Sequence, residues 1–123
     1  MTAPSHLGTI LVVEDECLVR LDAAEILRTA GFEVVEAADA GQALDVLAHR
    51  SDIDLLFTDI NMPGELDGIE LARRIRRSRP AIHVLLTSGH VRPDRADLPD
   101  GAFLPKPYSP ESMTRTVYEL MAA

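Results

Sequence analysis

The sequence has little cysteine, few aromatic residues and no long apolar run. Its single cysteine, Cys17, cannot form an internal disulfide, which argues against a disulfide-rich secreted scaffold, and we expect it to pack as a small apolar residue in the first helix. No apolar stretch approaches the roughly 20 residues that a membrane-spanning helix needs. The N-terminus also lacks the basic and apolar segments of a signal peptide. We therefore expect a cytoplasmic chain that does not enter a membrane.

Positive charge is also scarce. Twelve Lys and Arg residues stand against twenty Asp and Glu residues, so the net charge is −8. Nucleic acids and anionic membranes attract clustered positive charge, so this balance argues against both as partners. The one basic cluster, residues 73–79, is better interpreted as a solvated helix face than as a nucleic-acid patch. With 123 residues, of which 46% are apolar, the chain is too apolar for disorder and long enough for one domain.

Apolar runs and helical periodicities alternate along the chain. Unbroken apolar runs suit strands that are buried on both faces of a parallel sheet, and the run at 10–13 predicts the first strand. Further strands are predicted at 32–36, 55–58, 82–86 and 102–105. Apolar residues at helical spacing predict helices at 19–30, 40–48, 68–75 and 110–121. Asp39 and Ser109 are predicted N-caps, and Gly31 is placed to end the first helix. We expect a tail at residues 1–8 and one α/β domain at residues 9–123.

Strand and helix alternation predicts a right-handed, doubly wound α/β sheet. A helix is due between Gly89 and Gly101, but Pro93 and Pro99 interrupt that segment. Because proline breaks helices, we expect a short or irregular fourth helix there. Pro105, in the fifth strand, favours a position at the edge of the sheet.

Polar side chains follow four of the five predicted strands. Glu14 and Asp15 end the first strand, Asp59 the third, Thr87 the fourth and Lys106 the fifth. Ligands of an open parallel sheet bind beyond the carboxyl ends of its strands, so we expect these side chains to face one another. Carboxylates that close together repel unless a cation joins them, and an all-oxygen ligand set favours Mg²⁺.

The same residue types indicate a chemistry. The ammonium of Lys106 and the hydroxyl of Thr87 would hold a tetrahedral dianion opposite the metal, and Asp59 would be both a ligand and a nucleophile that forms an aspartyl phosphate. Each residue alone has a simpler interpretation: the acids as helix N-caps, Thr87 bonded to the backbone, and Lys106 solvated. Only their joint placement favours a phosphoryl site.

Together these motifs resemble the receiver domain of two-component response regulators, as in chemotaxis regulators. The resemblance covers the chain from Thr9 onward. It is carried by Glu14-Asp15, by residues 59–63, by Thr87-Ser88-Gly89 and by Lys106-Pro107, each after its strand. The resemblance implies a flavodoxin-like, five-stranded parallel sheet with strand order 2-1-3-4-5.

The resemblance also implies a function for the acidic residues. Asp59 would accept a phosphoryl group from a histidine kinase or a histidine phosphotransfer protein. Mg²⁺ would be held by Asp15, Asp59 and the backbone carbonyl of Asn61, with Glu14 acting mostly through water. The chain would then be a signalling phosphoacceptor and not an enzyme, active as a monomer or as a weak dimer that depends on phosphorylation.

The remaining site residues would bind the phosphoryl group and transmit its presence. Lys106 would contact the phosphoryl group, and the Lys106–Pro107 peptide bond would be cis. Thr87 would move toward a phosphoryl oxygen and Phe103 would rotate inward behind it, as a two-state switch. Phe103 stands where the family more often has tyrosine, so this switch would rest on packing alone.

Three departures from the family pattern stand out. Glu14 replaces the more common aspartate, which changes the expected water-mediated geometry. The loop at residues 64–66 is longer than usual. The interval between Thr87 and Lys106 is shorter than usual, which changes the face built from the fourth helix, the last strand and the last helix, through which many members of the family signal.

Other interpretations stay open. The chain could be a stand-alone regulator, or a receiver excised from a hybrid kinase or a larger regulator. An aspartyl-phosphate hydrolase is disfavoured because Asn61 stands where its general acid would be. A flavin-binding module would need a phosphate cradle where residues 14–16 are acidic. A receiver that signals without phosphate should have lost Asp59, Thr87 or Lys106, and none is lost.

Overall fold

The computed structural model describes residues 7–89 and 102–122. Strands and helices alternate in the order β1 (Thr9–Val13), α1 (Cys17–Thr29), β2 (Glu33–Ala37), α2 (Ala40–His49), β3 (Leu55–Asp59), α3 (Gly68–Ser78), β4 (His83–Ser88), β5 (Ala102–Pro105) and α4 (Pro110–Ala122). The short helix expected before Gly101, and most of the expected N-terminal tail, lie outside the described residues.

The strands form one parallel sheet in the order β2-β1-β3-β4-β5, which confirms the predicted architecture and strand order. The strands β1 and β3 lie inside the sheet and are buried along their whole length, as their unbroken apolar runs predict. Pro105 lies on the edge strand, as expected. The strand β4 continues to Ser88, beyond its predicted end, because Thr87 and Ser88 still pair with β5 although they are polar.

Helices cover both faces of the sheet. One core cluster joins the sheet to α1 and α4, and a second joins it to α2 and α3. Within α1 the buried residues are Ala23, Ala24 and Leu27. The helical spacing predicted an inner face of Val19, Ala23, Ile26 and Ala30, so the observed face is turned slightly from the predicted one. Cys17 is exposed, and the prediction that it packs as an apolar residue is wrong, because α1 begins at Cys17 and its first buried residue is Ala23.

The predicted helix caps are confirmed. The carboxylate of Asp39 accepts a hydrogen bond from the backbone N–H of Gln42 at 2.8 Å, and the Gln42 side chain accepts one from Ala38 N–H at 2.8 Å. At the start of α4, the hydroxyls of Ser109 and Ser112 each accept the other's backbone N–H, at 3.0 and 3.1 Å. These pairs fix where α2 and α4 begin.

The basic cluster divides into two parts. Arg73, Arg74 and Arg77 are exposed on α3, as expected for a solvated face. For Arg79 that interpretation is wrong, because its guanidinium donates hydrogen bonds to the carbonyls of Leu47 and Arg50, at 2.8 and 2.9 Å. Arg79 therefore satisfies carbonyl groups at the end of α2. None of the helices in the described part of the chain is both long enough and apolar enough to span a membrane.

Candidate functional site

Carboxylates converge at the edge of the sheet where β1 and β3 end. Side-chain oxygens of Glu14, Asp15 and Asp59 all lie within 4.8 Å of one another. Glu14 and Asp59 are only 4% and 6% exposed, whereas Asp15 is exposed at the rim. Asp15 is not the N-cap of α1; Glu16 occupies that position without a side-chain cap, and its N–H donates to the Glu14 carboxylate at 3.1 Å.

Lys106 reaches this cluster from the end of β5. Its Nζ lies 2.7 Å from Oε1 of Glu14 and 3.0 Å from Oδ2 of Asp59, so it is not the solvated surface charge of the simpler interpretation. Its backbone N–H donates to the carbonyl of Ser88 at 3.0 Å, and the Lys106–Pro107 peptide bond is cis, the geometry that the resemblance implies. The lysine side chain therefore links the edge strand β5 to the ends of two interior strands, β1 and β3.

The charges in the cluster perturb one another. Burial raises the pKa of Glu14 above its ordinary value, and the hydrogen bond from Lys106 only partly opposes this. For Lys106, burial alone would lower the pKa, but its hydrogen bonds to Glu14 and Asp59 outweigh burial and raise it. The lysine therefore stays charged at neutral pH, and one ammonium faces a group of three carboxylates.

The donor set suits a hard divalent cation. Three carboxylates and one ammonium leave the cluster with an excess of negative charge, and oxygen ligands of this kind are those that Mg²⁺ prefers. The cleft above them has a volume of about 290 Å³, and Asn61 lies on its rim. The residues present therefore fit the metal that the sequence predicts.

Hydrogen bonds hold the loop after β3 in place around Asp59. Ile60 N–H donates to the Thr87 carbonyl at 2.9 Å, and Asn61 N–H donates to Oδ1 of Asp59 at 3.2 Å. The buried hydroxyl of Ser88 donates to the Asn61 side-chain carbonyl at 2.8 Å. The sequence interpretation gave Ser88 no role of its own; the only signal was a polar residue at the end of a buried strand.

Gly68 lies directly against the backbone of Asp59. It is buried at the start of α3, and its N–H donates to the Ile60 carbonyl at 3.0 Å. A Cβ at this position would overlap the backbone carbonyl of Asp59. The glycine therefore allows α3 to pack directly against the chain that carries Asp59.

Gly68→Ala is expected to destabilise the protein by about 1–3 kcal/mol, the usual cost of overpacking, because either α3 or Asp59 must shift. The free energy of unfolding in urea measures this cost. Gly41→Ala is the matched control: Gly41 also lies in the first turn of a helix, but its Cβ would meet only the Asp39 side chain, at 3.3 Å. Since alanine favours helices, Gly41→Ala should be neutral or stabilising. Equal losses in the two variants would contradict the close approach at Gly68.

Thr87 and Phe103 lie beside the cluster. Thr87 is paired with Asp59 in the parallel ladder, but its buried hydroxyl donates to the Leu104 carbonyl at 2.6 Å. This bond to the backbone is what the simpler interpretation of Thr87 expects. Phe103 is half-buried and packs against a small apolar cluster that includes Val84 and Leu86. The Thr87 hydroxyl thus contacts β5, and the Phe103 ring contacts the neighbouring strand β4.

A second, apolar cleft adjoins the carboxylates. It has a volume of about 580 Å³ and is shared between the start of α1 and the segment after β5, with Leu18, Pro107 and Tyr108 on its walls and Lys106 at its inner end. Leu18 is 77% exposed. The Tyr108 ring packs edge-on against Phe57 with centroids 5.8 Å apart, and burial raises the pKa of Tyr108 to about 12. This cleft is an apolar surface at the entrance to the charged site.

The fold and the sequence agree with those of known proteins. The chain belongs to the response regulator receiver domain family, whose model matches residues 10–118. It is therefore a phosphoacceptor domain of two-component signalling.

Individual relatives support this assignment. The chain is 36% identical over 122 residues to the sensor kinase CckA of Brucella abortus, which covers 95% of this chain and 13% of that protein. It is 42% identical over 103 residues to the transcriptional regulatory protein PdtaR of Mycobacterium tuberculosis, covering 81% and 50%. The crystal structure of a response regulator receiver protein from Sinorhizobium medicae superposes with a TM-score of 0.87 and 31% identity, covering 94% and 95%. The chain thus spans half or less of these two curated relatives.

Proposed function

We propose that Asp59 is the phosphoacceptor and that it receives its phosphoryl group from a histidine kinase or a histidine phosphotransfer protein. Mg²⁺ would be held by Glu14, Asp15, Asp59 and the backbone carbonyl of Asn61. The observation that carries the proposal is the buried Asp59 carboxylate, which lies within the cluster and 3.0 Å from Lys106 Nζ. A carboxylate nucleophile with a cation beside it is what phosphoryl transfer to aspartate requires.

The transfer step follows from the positions of these groups. A side-chain oxygen of Asp59 attacks the phosphorus of a phosphohistidine, the P–O bond forms, the P–N bond breaks, and the donor imidazole leaves. Asn61 N–H on Oδ1 and Lys106 on Oδ2 orient the carboxylate. The Lys106 ammonium is close enough to turn from the carboxylate to the transferred group. Mg²⁺, when bound, supplies further neutralisation of the phosphoryl charge.

Thr87 and Phe103 form the proposed switch. The Thr87 hydroxyl reaches a phosphoryl oxygen only after it leaves the Leu104 carbonyl, which it now contacts at 2.6 Å. Leu104 is next to Phe103 in the same strand, so a change at Thr87 acts on β5 directly. Without a tyrosine hydroxyl, the Phe103 ring responds through its contacts with Val84 and Leu86.

The apolar cleft is the proposed docking surface for the phosphodonor protein. It opens beside the charged cleft, and the two share Val19, Gly89 and Lys106. A donor that seats an apolar side chain against Leu18 and Tyr108 brings its histidine to the neighbouring carboxylate. Exposed apolar surface next to a reactive group is typical of a protein interface.

Leu18→Asp is expected to lower the rate of transfer from a phosphodonor protein about tenfold, as for an exposed apolar anchor at an interface. Uptake from acetyl phosphate, which needs no docking, should not change. Leu7→Asp is the control, because Leu7 is also exposed but lies before β1, at the opposite end of the strand from the site. Equal transfer rates for Leu18→Asp and the unchanged chain would exclude this cleft as the docking surface.

We also propose that the chemistry ends with phosphorylation and self-dephosphorylation, in a cytoplasmic protein that is a monomer or a weak, phosphorylation-dependent dimer. Asn61 offers no general acid of the kind a hydrolase would use. The two relatives carry the names of a sensor kinase and of a regulator, which correspond to two of the three alternatives: a receiver from a hybrid kinase and a receiver from a larger regulator. The third alternative is a stand-alone regulator.

Phosphorylation by acetyl phosphate tests the proposal. With Mg²⁺ present, intact-mass spectrometry should show one phosphoryl group per chain, and hydroxylamine should remove it because an acyl phosphate reacts with that nucleophile. Omission of Mg²⁺ should greatly reduce uptake. Phosphate that resists hydroxylamine, or many turnovers of a small phosphate ester per chain, would contradict the proposal.

A further inference from the structure

Arg20 of α1 joins three elements near the acidic cluster. Its Nη1 donates to the backbone carbonyl of Glu14 at 2.9 Å, and its Nε lies 3.3 Å from Oε1 of Glu36 on β2. The side chain is only 18% exposed. One guanidinium therefore connects the first helix, the end of the first strand and the second strand.

The carbonyl that Arg20 holds belongs to the peptide unit between Glu14 and Asp15. A peptide unit is planar, so the direction of its carbonyl also fixes the positions of the Cα atoms on both sides. These two Cα atoms carry two of the three carboxylates in the cluster. On the other side of the same residue, Glu14 N–H donates to the Ala37 carbonyl at 3.1 Å. Arg20 and β2 thus restrain the backbone before and after Glu14.

Glu36 in turn holds the guanidinium in place. One of its oxygens binds Arg20, and the other lies 3.2 Å from Nη1 of Arg28. Arg28 also donates to the Val34 carbonyl at 3.1 Å, but it makes no described contact with the acidic pair. The two arginines therefore share a carboxylate while only one of them touches the end of β1.

We propose that Arg20 is a positioning residue for the Glu14-Asp15 pair and that its contact with the Glu14 carbonyl sets the affinity of the cluster for Mg²⁺. The proposal rests on the function proposed above. Groups that orient metal ligands change metal affinity when they are removed, often by about 10- to 100-fold. A directed guanidinium on the ligand-bearing peptide is such a group.

The sign of the effect separates positioning from simple charge. Arg20 is a cation close to an anionic site, so removal of its charge alone would strengthen the binding of Mg²⁺. Loss of the carbonyl contact would weaken binding, because the carboxylates would have to be ordered when the metal arrives. The two roles thus predict opposite changes in the Mg²⁺ dissociation constant.

Mg²⁺ titration followed by backbone amide chemical shifts provides the test, with the metal alone as the probe. Arg20→Ala is expected to raise the dissociation constant about tenfold. Arg20→Lys retains a donor and a charge, so it should recover part of the loss. Arg28→Ala, which loses the other arginine on Glu36, should bind Mg²⁺ as the unchanged chain does. At saturating Mg²⁺, the rate of acetyl phosphate uptake by Arg20→Ala should approach that of the unchanged chain.

An unchanged or lower dissociation constant in Arg20→Ala would overturn the proposal, as would an equal rise in Arg28→Ala. If Arg20→Ala does not fold, Arg20→Met replaces it: methionine keeps the apolar stem but has neither the charge nor the hydrogen-bond donor, and the dissociation constant should again rise while that of Arg28→Ala does not. The proposed function fails separately, when the unchanged chain takes no phosphate on Asp59. In that case the Mg²⁺ titration still decides whether Arg20 positions the acidic pair.

Discussion

Asp59→Asn is expected to take up no phosphoryl group from acetyl phosphate and Mg²⁺, under conditions that give one group per chain in the unchanged protein. The substitution keeps the shape of the side chain and an oxygen for Asn61 N–H. It replaces an anionic oxygen nucleophile by a neutral amide, which does not form an acyl phosphate in this way. Intact-mass spectrometry measures the result directly.

A second variant tests whether the loss of phosphate uptake is specific to Asp59. Asp45→Asn is a matched control, because Asp45 is an exposed carboxylate on α2 and does not line the carboxylate cleft. That variant should take up phosphate at the normal rate. Phosphate retained by Asp59→Asn, on Asp15 or any other residue, would show that the assignment of the phosphoacceptor is wrong.

Lys106→Met is expected to lower the free energy of unfolding of the metal-free protein by roughly 2–3 kcal/mol near neutral pH. Removing one partner from a buried ion pair leaves an uncompensated charge, and here two carboxylates lose their shared cation. The value is reduced from that of a fully buried pair because the Lys106 side chain is 23% exposed. Methionine preserves most of the apolar stem, so lost packing contributes little. Urea unfolding in the presence of a chelator measures the change.

This loss should depend on pH. Burial already raises the pKa of Glu14 in the folded protein, and without Lys106 only the hydrogen bond from Glu16 N–H still opposes that rise. A carboxyl group whose folded pKa is raised binds its proton more tightly when folded, so stability falls as pH rises from the unfolded pKa through the folded one. The deficit of Lys106→Met should therefore be smaller at about pH 5 than at about pH 7.5.

A matched control separates this effect from a general loss of positive charge. Arg115→Met removes an exposed cation from α4, at a position outside the carboxylate cleft. It should show little loss at either pH. If Lys106→Met shows the same deficit at both pH values, the stem of the lysine and not its charge supports the site.

Most of the fold could be predicted because its signals are local. Unbroken apolar runs marked the interior strands, and the side chains of Asp39 and Ser109 marked two helix starts. The end of β4 was predicted too early because Thr87 and Ser88 are polar, and only the neighbouring strand shows that the ladder continues. The order of the strands came from the resemblance, since nothing local states which strands are neighbours.

Part of the candidate site could likewise be predicted from local signals, and part could not. Glu14, Asp59 and Lys106 could be predicted because each directly follows a strand, and strands of one parallel sheet end at one edge. The supports of the site escaped prediction. The Asp67-Gly68 pair is a further mark of the family resemblance, but the contact of Gly68 with the Asp59 backbone was not predicted from it. The contact of Arg20 with the Glu14 carbonyl was not predicted either, because residue type and spacing do not show which backbone atoms a side chain reaches. Their roles exist only once the helices are packed.

The residues of the site follow strands that differ in their position in the sheet, and this position affects which part of the site opens first. The carboxylates follow β1 and β3, which have a neighbour on each side, whereas Lys106 follows β5, which has four residues and, within residues 7–89 and 102–122, a single neighbouring strand. Strands at a border exchange their amide hydrogens through local opening sooner than central ones. Fraying of that border withdraws the ammonium while the acidic groups keep their places. Local opening of β5 can therefore displace Lys106, which would bind the phosphoryl group, while the carboxylates that would bind the metal stay in position.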